Sequence, residues 1–338
     1  MRLRMKDIAR DLGLSAVTVS KALRHHPDIS EETRNRVLKR IKELDYRPNF
    51  TARALITGRT WTAGLVVPDL LHPFFAQVAH AISAEIRESG YSLILASSED
   101  DPELERQQID QLLAHRVDVI LVASTQWSVK SFRKIEQDNI PYVLVDRRFA
   151  GLAANFVGID DEAAGFLATS HLLEQGCKRI AHIRGPEVST ASGRAEGYKR
   201  ALSTAGVQSS PDYIVSIGSS GDHRGDLSAY EVTRKLLSLN PRPDGLFCYN
   251  DPVAIGAMRA ILDAGLQIPE DVAVVGCGNV LNSDFFRVPL STIDQDSKGV
   301  GEKAARLAMS LVKAEKPERP KAELITPQIL VRESSRRK

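Results

Sequence analysis

From Trp61 onward the chain repeats one pattern: a short, nearly continuous apolar run, a polar turn, then a stretch with helical spacing. The runs read TAGLVVPDL, YSLILASS, VDVILVAS, PYVLVDR, FVGID, RIAHIRG, GLFCYND and VAVVGCG. Strands that are apolar on both faces do not fit a sheet with one wet side. They fit parallel sheets covered by helices above and below. The pattern restarts at FVGID, so two sets of such units predict two doubly wound subdomains. A chain of 338 residues is too long for one ordinary core, which agrees.

The first sixty residues are different. They hold 14 Lys and Arg against 7 Asp and Glu, whereas the rest holds 31 against 36. A basic head on a mildly acidic body points the head at a polyanion. Ile8, Ala9 and Leu12 make one face of a short helix, and Gly13 breaks it. Ser15 suits the N-cap of a second helix, about Ala16 to Arg24, with Val19, Ala22 and Leu23 inward. Ser30 caps a third, with Val37, Ile41 and Leu44 as its inner stripe. Two helices joined by a tight turn and braced by a third make a helix-turn-helix. In such a unit the second helix presents its N-terminal end to the major groove. There Ser15, Thr18 and Ser20 offer hydroxyls to phosphates and base edges, and Lys21 reaches a guanine or a phosphate. Ala16 and Val17 offer methyl groups, which can meet the C5-methyl of thymine.

RPNFTARALITGRT follows. Asn49 can cap a short helix running to Ile56, marginal alone in water. It is either an interdomain linker or a hinge helix that orders against its twin on DNA, with Leu55 as a minor-groove wedge. Met5, Arg24, Ser30, Thr33, Tyr46, Asn49 and Arg53 complete the residues expected at the DNA.

MKDIARDLGLSAVTVSKAL, ISEETRNRVLKRIKELDYRPN and ARAL together resemble the LacI/GalR family of bacterial transcription regulators. The resemblance implies a homodimer whose heads read a pseudo-palindromic double-stranded DNA operator and whose body binds a small effector. The expected fold is an all-α helix-turn-helix head plus an α/β, periplasmic-binding-protein-like body of two doubly wound parallel-sheet subdomains. The head spans 1–48 and the hinge 49–60. The body spans 61–338, with subdomain 1 at about 61–160 and 292–322 and subdomain 2 at about 161–291 and 323–338.

Ligands of doubly wound sheets sit at the carboxyl ends of strands. Polar residues gather there: Asp69 after the first strand, Asp146 and Arg147 after YVLV, Asn250 and Asp251 after LFCY, and Gln295 after STID. Arg194 opens a helix in STASGRAEGYKRAL. Singly these are as well read as caps and turns. Together they suit bidentate bonding of vicinal hydroxyls. Phe74 and Phe75, after His72 and Pro73, can give an apolar platform for a sugar face. The resemblance extends to HPFF, similar to an aromatic motif flanking the sugar in such regulators, and implies that Asp146, Arg147, Arg194, Asn250 and Gln295 bind sugar hydroxyls. One departure stands out. Gly278 falls where the family usually has an aspartate, and Asn279 is the available substitute. A larger sugar, a phosphorylated one and a non-sugar effector all remain open.

An enzyme finds little support. No G-x-G-x-x-G opens a helix after the first strand, and there is no G-x-x-x-x-G-K-[ST], no His-Glu-x-x-His and no Gly-x-Ser-x-Gly. Cys177, Cys248 and Cys277 are widely spaced and read as buried free thiols. The eight histidines show no metal spacing, so no cofactor or metal is expected. A periplasmic solute-binding protein would share the body. The first residues, MRLRMKDIAR, lack the apolar stretch of a signal peptide and lead into the basic head instead. No apolar run approaches a membrane span. A cytoplasmic homodimer is therefore expected. No leucine heptads follow the tail LITPQILVRESSRRK, which reads as one last strand.

Overall fold

The computed structural model describes residues 5–23, 26–45, 58–126, 129–149, 151–218, 225–316 and 319–337. The chain divides into a compact unit over Met1–Thr60 and another over Trp61–Lys338.

In the head, α1 (Met5–Leu12), α2 (Ala16–Leu23) and α3 (Glu31–Glu43) enclose a small core of Ile8, Ala9, Val19, Ala22 and Val37. Gly13 takes φ +65°, a left-handed turn that glycine adopts without a steric penalty. The Leu14 amide then donates back to the Ala9 carbonyl at 2.8 Å and closes the turn. Ser15 and Ser30 each accept the amide three residues on, from Thr18 at 3.0 Å and from Thr33 at 3.3 Å. Those bonds satisfy donors that a helix start leaves open.

The body is two six-stranded sheets. The first has the order β11-β5-β4-β3-β1-β2. Its strands are β1 (Thr62–Val67), β2 (Ser92–Ser97), β3 (Val119–Val122), β4 (Tyr142–Val145), β5 (Asn155–Ile159) and β11 (Ala322–Ile325). All of its pairings are parallel. The second has the order β12-β10-β9-β8-β6-β7. It contains β6 (Ile180–Arg184), β7 (Ile214–Ser216), β8 (Gly245–Cys248), β9 (Ala273–Cys277), β10 (Ser291–Asp294) and β12 (Gln328–Leu330). Among the described residues, only the β10–β12 pairing is antiparallel. The central strands β3, β4, β8 and β9 are buried along their whole length, as their unbroken apolar runs require.

Among the described residues, eight helices cover these sheets: α4 (Pro73–Glu88), α5 (Pro102–Ala114), α6 (Lys130–Gln137), α7 (Asp161–Glu174), α8 (Ser189–Thr204), α9 (Gly225–Leu237), α10 (Asp251–Asp263) and α11 (Ser297–Lys313). Among the described residues, no helix is long and apolar enough to cross a membrane.

Two expected boundaries shift. Residues 292–294 were expected in subdomain 1, yet Ser291, Thr292 and Ile293 pair with Val275, Gly276 and Cys277 in the second sheet. The crossing therefore comes after Asp294, and α11 packs on the first lobe against α4. The tail is two strands rather than one. Ala322–Ile325 closes the first sheet and Gln328–Leu330 the second. Pro327 lies between them and has no amide with which to continue a ladder. The chain thus passes between lobes three times, near 160, 295 and 326.

Candidate functional site

The DNA-facing expectations fall on differing surroundings. Val17 is 64% exposed and unencumbered by the core. Ala16 is only half exposed and, like Met5, packs against the head core. Ala16 is therefore partly a packing residue rather than a fully presented methyl group. The Ser15 and Thr18 hydroxyls bond each other at 2.8 Å, and the Ser30 hydroxyl donates to Thr33 Oγ1 at 2.9 Å. Ser20 is half exposed on α2. The Lys21 ammonium donates to Asp28 at 2.9 Å, and that bond holds the exposed Asp28 carboxyl below the usual carboxylate range. For the contact expected of Lys21, a base or phosphate would have to compete with Asp28. Arg24, Tyr46, Asn49, Arg53 and Leu55, and with them the hinge helix, lie outside the described residues.

In the body, the two lobes face each other across one cavity. The first lobe supplies His72, Phe74 and Phe75 from the β1–α4 turn, with Asp146 and Arg147 from the end of β4. The second supplies Arg194 from α8, with Tyr249 and Asn250 from the end of β8. Gln295 stands at the second crossing. The cavity is ≈20 Å³, room for about one water.

Each wall follows from local sequence. The His72 ring accepts the Phe74 amide at 3.3 Å and caps α4, with Pro73 pre-set for the first turn. This aims Phe74 and Phe75 inward, edge to face at 5.2 Å. Asp146 takes φ +64°, a conformation aspartate tolerates better than most side chains. The Arg147 guanidinium is buried beside Asp100 at 3.2 Å and Asp146 at 4.0 Å, and lies 5.8 Å from the Phe75 ring centroid.

Arg194 is fixed from three sides. Nε donates to Asp161 at 3.0 Å, an NH group donates to the Tyr249 carbonyl at 2.7 Å, and the guanidinium lies 4.8 Å over the Tyr249 ring. Burial raises the Asp161 carboxyl above its ordinary range, and the neighbouring Arg194 offsets only part of that rise. Tyr249 in turn bonds Thr190 through its hydroxyl at 2.8 Å. The α7–α8 crossing that carries Arg194 is unusually close. A Cβ on Gly165 would sit 2.0 Å from the Arg194 carbonyl oxygen, and one on Gly197 would sit 2.0 Å from that of Glu162.

Gln295 donates to the Cys277 sulfur at 3.3 Å, while its buried Oε1 has no partner among the described residues. Burial pushes the Cys277 thiol up to about 12, so it is neutral. The Asn250 oxygen caps α10 by accepting the Val253 amide at 2.9 Å, which turns its NH₂ toward His72 Nε2 at 3.2 Å. That contact spans the cleft, as does the Arg148 amide donating to the Ser189 hydroxyl at 3.0 Å.

Three expected effector residues lie elsewhere. Asp69 accepts the Leu71 amide at 2.8 Å and shapes the turn after β1. Asp251 is fully buried behind β9 and β10, accepting the Thr292 hydroxyl at 2.6 Å and the Val280 amide at 2.8 Å. Asn279 accepts from Arg332 at 2.9 Å and faces Asp294, so it does not replace a carboxylate at Gly278. A Cβ on Gly278, at φ +142°, would meet Asp251 at 3.5 Å. Tyr249 was not foreseen, although an aromatic residue at a strand end beside Asn250 was a usable signal. Among the described residues no His, Cys, Asp and Glu group has metal-binding geometry.

Comparison with known proteins gives a consistent picture. Residues 4–49 match the model for bacterial regulatory proteins of the lacI family. Residues 60–333 match that for periplasmic binding proteins and the sugar-binding domain of the LacI family. The HTH-type transcriptional repressor PurR of Mannheimia succiniciproducens is 32% identical over 332 residues, covering 98% of each chain. The ribose operon repressor of Halalkalibacterium halodurans is 33% identical over 333 residues, covering 98% of this chain and 97% of its own. The solved complex of the transcriptional regulator CelR with cellobiose superposes with a TM-score of 0.74 at 29% identity, covering 98% of this chain and all of that one. With its helix-turn-helix head and two-lobed body, the chain belongs to the LacI family of DNA-binding transcription regulators.

Proposed function

We propose that the chain is a homodimeric repressor whose operator affinity is set by a carbohydrate or carbohydrate derivative held between the lobes of its body. One observation carries this reading: side chains from both lobes converge on a single cavity walled by aromatic rings, two guanidiniums and two amides. Planar guanidinium and amide groups suit vicinal hydroxyls, and aromatic faces suit the apolar face of a sugar ring. Gln295 Oε1 adds a buried acceptor for a ligand hydroxyl. At ≈20 Å³ the cavity is far below the roughly 300 Å³ of a small-molecule site, so the lobes must part for the effector to enter. The three crossings are the natural hinge, and residues 49–60 carry the change to the heads, with Leu55 as the minor-groove wedge.

Exposed apolar side chains support a dimer. Leu71 is 81% exposed on the first lobe, and Leu281 and Phe285 are 75% and 81% exposed on the second. A second copy covering them would bring two heads to a two-fold operator. In this reading the protein binds its ligand without transforming it, and Asp100 and Asp161 serve to hold the guanidiniums of Arg147 and Arg194 at 3.2 and 3.0 Å.

A thermal-shift screen of sugars and sugar phosphates on the full-length protein tests this. A ligand of the native body raises the melting temperature. The reading fails if no member of either class does so, or if a hit binds Arg194→Ala as tightly as the wild type.

A further inference from the structure

A second cavity opens on the outer face of the second lobe, between α9 and α10, away from the effector cleft. Its volume is ≈570 Å³, within the range of small-molecule sites. One wall carries Tyr230, Arg234 and Ser238, and Arg242 follows just beyond the end of α9. Leu237, Ala260 and Leu266 give it an apolar floor, and Asp263 closes the far side.

The charges are not balanced within it. Asp263 is engaged by the Tyr230 hydroxyl at 3.1 Å and by Arg259 at 3.7 Å. The Arg242 guanidinium reaches Asp271 only at 3.9 Å. The Arg234 side chain is exposed and, among the described residues, is held by no hydrogen bond or ion pair. Two forked donors thus face one cavity, one of them unpaired and the other weakly paired. Guanidinium forks match the paired oxygens of a phosphate group, and two of them match its double charge.

We propose that this groove is a second ligand site, for a small phosphorylated molecule. The phosphate lies between Arg234 and Arg242, the carbon body rests on Leu237 and Leu266, and a ligand hydroxyl donates to Asp263. The site lies on α10, the helix that begins at the Asn250 cap in the cleft, so occupancy there would also bear on effector binding.

Calorimetric titration of the full-length protein with glucose 6-phosphate tests the assignment, with glucose and inorganic phosphate as separate arms. Glucose 6-phosphate should bind saturably, inorganic phosphate more weakly and glucose not at this site. The variant Arg234→Ala/Arg242→Ala should lose about tenfold or more in affinity for glucose 6-phosphate. Its unliganded melting temperature should stay unchanged, because both side chains reach solvent. Arg194→Ala should retain the binding. Equal affinity in wild type and the double variant overturns the proposal, as does absence of saturable binding. Loss in Arg194→Ala alone would assign the phosphate to the effector cleft and also overturn it, while leaving the effector reading standing.

Discussion

Gly165→Ala sets two effects against each other. Alanine is the better helix former, by about 1 kcal/mol in a helix interior. Against that, its Cβ would sit 2.0 Å from the Arg194 carbonyl oxygen, whereas real Cβ contacts stay beyond 3.0 Å. The obstacle is backbone, so α8 must move by at least 1 Å relative to α7. Overpacking of this kind costs about 1–3 kcal/mol, so against the helix gain the variant should be destabilised by up to roughly 2 kcal/mol. The same movement displaces Arg194, whose bond to the Tyr249 carbonyl is already 2.7 Å long and has little slack. A lost charge-assisted bond is worth about 1.5–3 kcal/mol, so effector affinity should fall roughly tenfold to a hundredfold. Urea unfolding gives the first quantity and calorimetry with the effector the second. A variant as stable as the wild type that binds effector equally well would refute the argument that this crossing positions Arg194.

Three further outcomes are expected. Arg194→Ala leaves Asp161 buried without its cation, at a cost of about 3–5 kcal/mol; adding Asp161→Asn should restore much of that stability and effector-free operator affinity but not the effector heat, and an unchanged effector affinity would remove Arg194 from the site. Burial raises the Asp251 carboxyl to about 6, despite its bonds from Thr292 and Val280; the folded state therefore holds the proton more tightly, and this group's contribution falls by about 3 kcal/mol as pH rises from about 4 to 6. Asp251→Asn should remove that fall from urea titrations run across the window, and an identical pH profile would contradict it. Ala16→Arg should change the operator returned by binding-site selection, with some loss of head stability because Ala16 is half buried; the same selected sequence would mean that this helix does not face the groove.

The strands were legible because each is a nearly continuous apolar run, a pattern that only burial on both faces explains. The cleft was legible where side chains end strands or cap helices, as at Asp146, Arg147, Asn250 and Gln295. Asp251 was misread because it follows Asn250 directly. Asn250 is the cap of α10, and Asp251 begins the helix proper, where one residue turns the side chain through about 100° and beneath β9. Asn279 is claimed by Arg332, 53 residues further on, and no local pattern announces that pairing. Strand β10 is four residues long and pairs with β12 from the far end of the chain, so its lobe depended on a contact that sequence order hides.

The central claim is that occupancy of the cleft changes the grip on DNA. The most direct measurement is the affinity of the full-length protein for its selected operator, with and without a saturating thermal-shift hit, at fixed salt. The account predicts a change of about 5–150-fold, a coupling of about 1–3 kcal/mol, and no change in the Arg194→Ala/Asp161→Asn protein. An operator affinity that stays the same while the ligand occupies the cleft would contradict it.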